Sequence, residues 1–159
     1  MDEKQRILSE IGFSFLRPYN VAGMGEPWSM KIDMTHGILK EMGINAVLTL
    51  TEDDPYGKLH RAAGFRQHHE PINDCEPPSK TGMDRALDFI DTSLAKGVGV
   101  AVHCLEGRGR AGTVLCAWIA RMESTGPENA IHRIHELRPR TVLTPSQRLF
   151  LYQYLKAVS

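Results

Sequence analysis

The stretch from Val102 to Thr113, VHCLEGRGRAGT, concentrates the residues most able to do chemistry. Cys104 and Arg110 stand six positions apart, with Gly107, Gly109 and Gly112 between and after them. An ionised cysteine is a nucleophile, and a guanidinium offers a planar fork that matches two phosphate oxygens. Glycines let a loop curl until successive backbone N–H groups converge on one anion. The same glycines also spell G-x-G-x-x-G, a dinucleotide-binding fingerprint, and the stretch nearly spells a Walker A loop. Three different chemistries thus compete for one loop.

The flanking elements decide among them. A dinucleotide loop needs a second parallel strand downstream, carrying an acidic residue about 20 positions on for the ribose hydroxyls. Here the segments that follow, GPENAIHRIHELRP and TPSQRLFLYQYLKAV, both have helical spacing. The Walker parse lacks its lysine. The Cys-x5-Arg parse fits its surroundings: VGVAVH reads as a short buried strand before it, and GTVLCAWIARME as an apolar helix after it. A helix opening near Ala111 adds its positive end to the anion site, and the same field favours thiolate over thiol at Cys104.

Upstream, GFSFLRPYNVAGMG predicts two short strands around Pro18, and MKIDMTHGILKEMG a helix stopped by Gly43. INAVLTLT predicts a strand covered on both faces, PYGKLHRAAG a short helix, and FRQHHEPI a further strand. SKTGMDRALDFIDTSLAKG predicts a helix capped by Ser79 and closed by Gly97. Strands alternating with helices argue for a single α/β domain over 1–159, with a central, mostly parallel sheet flanked by helices and a helical C-terminal third.

Composition sets the outer limits. The chain has 159 residues, with 19 Lys plus Arg against 19 Asp plus Glu, so no global basic field argues for nucleic acid or an anionic membrane. MDEKQRILSE lacks the apolar segment of a secretory signal, and no run approaches the ~18 apolar residues of a membrane span. Cys75, Cys104 and Cys116 are too few and too scattered for a disulfide framework, so the expectation is a cytoplasmic protein with reduced thiols. His132 and His135 share a helix face without a third ligand, which favours a solvated face over a metal site.

VHCLEGRGRAGT resembles the His-Cys-x5-Arg signature loop of the protein tyrosine phosphatase superfamily, most of all that of small atypical dual-specificity phosphatases. FSFLRPYNVAGM, GINAVLTLTE, HEPINDCEPP and TPSQ are similar to further segments of that group, so the resemblance runs along nearly the whole chain. It implies a phosphotyrosine protein phosphatase-like fold and hydrolysis of phosphomonoesters in phosphoprotein or phosphopeptide, by a monomer needing no metal or organic cofactor. In that pattern Cys104 is the nucleophile, and Arg110 with the amides of Leu105, Glu106, Gly107, Arg108 and Gly109 cradles phosphate. Asp74 is the general acid, His103 shapes the loop, and Gln147 positions the hydrolytic water.

The chain departs from the pattern in three places. Ala111 replaces the Ser or Thr that usually follows the arginine, leaving Thr113 as the nearest hydroxyl and implying slow release of phosphate from the cysteine. Asn73 stands where a proline commonly precedes the acid, and Glu70 and Glu76 are competing acids. Glu106 in the loop opposes a highly anionic substrate, which leans toward phosphotyrosine-like esters. A catalytically weak phosphate-binding module, a phosphoinositide substrate and an RNA 5′-triphosphate substrate remain as alternatives. Cys75 could form a regulatory disulfide with Cys104 or be inert; Cys116, Trp28 and Trp118 read as packing, and Glu52 to Pro55 as a turn and helix entry, with a place at the border of the cleft as the alternative.

Overall fold

The apolar runs assemble into one sheet. The computed structural model describes residues 1–27 and 29–158, so Trp28 lies outside the described residues. The strand order is β1-β2-β5-β3-β4, from β1 (Ser14–Phe15), β2 (Val21–Met24), β3 (Ile44–Thr49), β4 (Arg66–His69) and β5 (Gly99–His103). Only the β1–β2 pair is antiparallel; the other neighbours run parallel, so the sheet is mixed but mostly parallel.

Period-two alternation splits the core between the two faces of this sheet. On β5, Val100 and Val102 join one apolar cluster with α4 (Lys80–Ala95), α5 (Gly109–Met122), α6 (Pro127–Leu137) and α7 (Pro145–Val158). Ala101 faces the other way, with Val47, Leu39 of α2 (Ile32–Glu41), and Phe65 beyond α3 (Gly57–Ala62). Helices thus cover both faces, as a buried parallel sheet requires. Trp118 packs as the sequence implied: it is fully buried, edge-on to Tyr19 at 5.1 Å, and its Nε1 donates to Asp91 Oδ1 at 3.0 Å.

Ser79 caps α4 as expected, accepting from Gly82 N at 3.0 Å. Two features differ from the sequence reading. Helix α1 (Glu3–Glu10) forms in the charged N-terminal stretch, nucleated by a capping box between Asp2 and Gln5 and anchored by buried Ile7. Helix α5 opens at Gly109, two residues before Ala111, so Arg110 itself lies in the first helical turn.

Candidate active site

Strands β3, β4 and β5 end on the same edge of the sheet, and the loops leaving them meet there, the usual ligand crevice of an open parallel sheet. Central strand β5 is buried along its whole length, which fixes His103 and delivers Cys104 directly to the loop. Cys104 is buried, and the chain then curls through Leu105 to Arg108 into the N-terminus of α5. Gly107 makes the curl possible: its φ is +74°, and a Cβ there would stand 2.5 Å from the Met24 backbone. The loop is also tied from behind, because Glu26 N donates to Leu105 O at 2.9 Å.

His103 is buried and burial, reinforced by the charge of nearby His60, pushes its pKa down to about 4, so the ring is neutral at neutral pH. Its Nδ1 lies 3.4 Å from Cys104 O, an atom that can only accept, so Nδ1 carries the proton. Nε2 therefore accepts from the Thr49 hydroxyl at 2.9 Å. The residue before the cysteine is held between strand β3 and the loop, a fixed hinge for Cys104.

Arg110 is the hub of the cleft. Its side chain is 4% exposed; Nη1 donates to Glu52 Oε1 at 2.5 Å and to Ile72 O at 3.0 Å, and Nη2 faces Asp74 Oδ1 at 3.5 Å. Two loops, after β3 and after β4, thereby converge on one guanidinium. Glu52 also accepts from Asp74 N at 3.3 Å, which ties the first loop to the acid-bearing one. Its own backbone N–H, then the Arg110 side chain and the Asp74 N–H, hold the Glu52 carboxyl below the usual carboxylate range.

The competing acids separate cleanly. Glu70 is buried and accepts a bidentate pair from Arg85 at 2.9 and 2.8 Å, with His68 at 3.0 Å, so its oxygens are engaged away from Arg110. Although burial pushes its pKa up, these hydrogen bonds bring it below the ordinary range. Glu76 is exposed and offers its backbone carbonyl, not its carboxylate, to Gln147 Nε2 at 3.2 Å. Asp74 alone of the three stands beside Arg110, with an exposed carboxylate.

Gln147 is fully buried at the start of α7, and its amide is engaged at both ends: Oε1 accepts from Thr144 N at 2.9 Å while Nε2 holds Glu76 O. Thr144 Oγ1 adds a bond to Cys75 O at 2.9 Å, so the Thr144–Gln147 turn clasps the acid-bearing loop just beyond Asp74. Thr113 is buried and its hydroxyl donates back to Gly109 O at 2.7 Å, a helix-internal bond rather than one aimed at Cys104. Ala111 is buried without a polar atom to offer. Cys75 is exposed in a left-handed turn at φ +66°. Among the described residues no group of three or more His, Cys, Asp or Glu could hold a metal ion, and no helix is long and apolar enough to cross a membrane. His132 instead pairs with Glu136, and His135 donates to Thr141 O.

Two residues central to this geometry were not singled out by sequence reasoning. Glu52 was read as part of a turn, yet it is bonded to Arg110; Arg138, unremarked, donates to Gly107 O at 2.6 Å from beyond α6.

Comparison with known proteins agrees with the geometry. Residues 22–124 match the family model described as "Polymorphic toxin system, DSP-PTPase phosphatase". Phosphatidylglycerophosphate phosphatase PTPMT1 of Arabidopsis thaliana is 30% identical over 122 residues, 73% of this chain and 36% of that protein. PTPMT2 of the same plant is 30% identical over 127 residues, 76% of this chain and 55% of that protein. The chain thus spans between about a third and about half the length of these relatives. Among solved structures, that of Tk-PTP in the active form superposes with a TM-score of 0.81 at 27% identity, covering 91% of this chain and 97% of that one. The chain belongs to the DSP-PTPase phosphatase family, among the small atypical dual-specificity phosphatases of the protein tyrosine phosphatase superfamily.

Proposed function

We propose that this phosphatase works through a cysteinyl-phosphate intermediate. The single observation that carries the reading is the convergence on Arg110: the loop of Cys104 supplies it, and Asp74 meets it at 3.5 Å from a separate loop. In the first step the Cys104 thiolate forms the S–P bond as the ester P–O bond breaks, and the Asp74 carboxylic acid protonates the leaving oxygen. Arg110 and the loop amides hold the equatorial oxygens, whose charge they are preorganised to meet. In the second step Asp74, now a carboxylate, takes a proton from water as that water attacks phosphorus and the thiolate departs.

The substrate we favour is a phosphotyrosine-like ester in a protein. Glu52, Asp74 and Glu106 are exposed to differing degrees around the mouth and repel a ligand carrying several phosphates, while a single aryl phosphate is tolerated. A second reading, a glycerophosphate lipid, has its own support: the two plant relatives are named for phosphatidylglycerophosphate, and Leu105 and Val142 expose apolar surface beside the loop. Initial rates on phosphotyrosine and phosphoserine peptides, micellar phosphatidylglycerophosphate, phosphoinositides and triphosphorylated RNA decide between them. A higher kcat/KM on phosphotyrosine peptide supports the first reading, and a preference for the lipid phosphate replaces it with the second. Hydrolysis of none, with phosphate still bound, leaves a binding module.

A further inference from the structure

Arg138 is a buried cation that nothing in the reaction scheme yet uses. It lies at the end of α6, 8% exposed, and donates to four oxygens: Gly12 O at 3.2 Å, Ser14 Oγ at 2.7 Å, Gly23 O at 2.7 Å and Gly107 O at 2.6 Å. All four are neutral. A guanidinium buried among carbonyls rather than against a carboxylate is costly unless its position has another use. Burial pulls its pKa below the ordinary range, and the negative charge of a Cys104 thiolate acts the other way. Strand β2 leaves room for it there: a Cβ on Gly23 would stand 2.6 Å from the Arg138 Cζ and force the guanidinium to shift.

The bond to Gly107 O is the one with consequences for chemistry. A trans peptide is planar, with its C=O and N–H pointing in opposite directions. Holding the Gly107 carbonyl backward, toward Arg138, therefore turns the Arg108 N–H forward. The bond from Glu26 N to Leu105 O does the same for the Glu106 N–H. Two alternate amides of the loop are thus aimed by partners outside it. Gly107, at φ +74°, is the residue whose flanking peptides rotate most freely, so it is the point where such a tether is needed.

We propose that Arg138 is a positioning residue of the active site: by fixing the Gly107 carbonyl it sets the Arg108 amide toward the phosphate, and it leaves a buried positive charge behind the loop to offset the thiolate and the bound anion. The inference rests on the reading of this loop as the phosphate site. Arg138 touches no substrate and acts through the loop.

The test compares the parent chain with Arg138→Met and Gly23→Ala, and uses Arg140→Met, an exposed neighbour, as control. The probes are an aryl phosphate for turnover and inorganic phosphate as a competitive inhibitor, assayed well below each variant's unfolding temperature. Misaiming one preorganised amide should weaken phosphate inhibition and lower kcat/KM by roughly tenfold or more in Arg138→Met. Gly23→Ala keeps the charge but displaces the guanidinium, and should shift both readouts the same way, so the idea stays testable if Arg138→Met does not fold. Arg138→Met or Gly23→Ala that is folded and matches the parent in phosphate inhibition and kcat/KM, merely unfolding at lower temperature, reduces Arg138 to a structural tie and overturns the proposal. A parent chain that neither binds phosphate nor turns over the ester would instead overturn the phosphate-site reading.

Discussion

Arg110 Nη1 donates to Glu52 Oε1 at 2.5 Å across 58 residues of sequence, and the same guanidinium faces Asp74 through Nη2 at 3.5 Å. The group proposed to grip phosphate is therefore already held by two carboxylates of unequal reach. Glu52 holds Nη1 from the side while Ile72 O shares that nitrogen, which fixes the plane of the fork. Nη2 is left facing the exposed Asp74 carboxylate.

If Glu52 orients the fork, its loss should hurt rather than help. The Glu52 side chain is half exposed, so solvent screens the pair, and Glu52→Ala should lower kcat/KM by roughly two- to fivefold. A gain in kcat/KM would instead identify Glu52 as a competitor of the substrate. Because the Glu52 carboxyl lies below its ordinary range, the pair is intact throughout neutral pH and is lost only as pH falls through that depressed value.

Asp74 should matter in proportion to how badly the leaving group needs a proton. Asp74→Asn is expected to lower kcat on an alkyl or phenyl phosphate by about 10²–10⁴, with a much smaller loss on an ester whose leaving group is already acidic. Equal losses on both esters would remove Asp74 from the acid role. The Gln147 clasp gives an independent handle: Gln147→Ala frees Glu76 O and Thr144 N, and should reproduce part of the Asp74 effect without changing phosphate binding.

In the proposed scheme, Ala111 bears on the second chemical step. No hydroxyl is offered there, and that of Thr113 is engaged by Gly109 O. Stopped-flow turnover of an aryl phosphate should show a burst followed by a slower steady rate. Ala111→Ser should shrink the burst and raise the steady rate by roughly tenfold, the scale of one added hydrogen-bond donor to a developing negative charge. A parent enzyme without a burst, unimproved by Ala111→Ser, would contradict this.

The histidines behind the loop make stability depend on pH. His36 Nε2 and His60 Nδ1 share a hydrogen bond at 2.8 Å, next to His103. Burial, then the charge of His36, pushes His60 down to about 4, and His103 is likewise at about 4. The unfolded chain titrates these rings near about 6.5, so between the two values it binds more protons than the folded chain. Stability should be full above about pH 6.5 and fall by a few kcal/mol as pH drops toward about 4. Denaturant midpoints at successive pH values check this, and His60→Phe should flatten the slope; a midpoint that stays level across the window in the parent would contradict it.

What the sequence made legible follows physical range. The β5–loop–α5 unit could be read because its apolar run, glycines and helix are contiguous. The capping of α4 by Ser79 and the two strands around Pro18 were local in the same sense. Glu52 and Arg138 were not legible, because their partners lie 58 and 31 positions away and only the folded sheet brings them together. Helix α1 fell between the two cases: Asp2 and Gln5 spell a cap, but a single buried Ile7 leaves no apolar stripe to notice. Gln147 was legible as a residue near the site, while its commitment to Thr144 and Glu76 was not.

The central claim is that phosphate passes through Cys104. Rapid acid quench of the enzyme during turnover, followed by peptide mapping, should find phosphate on the peptide carrying Cys104 and accumulating in the burst. Cys104→Ser should lose turnover by about 10⁴ or more while still binding inorganic phosphate. Phosphate on any other residue, or turnover persisting in Cys104→Ser, would contradict the account.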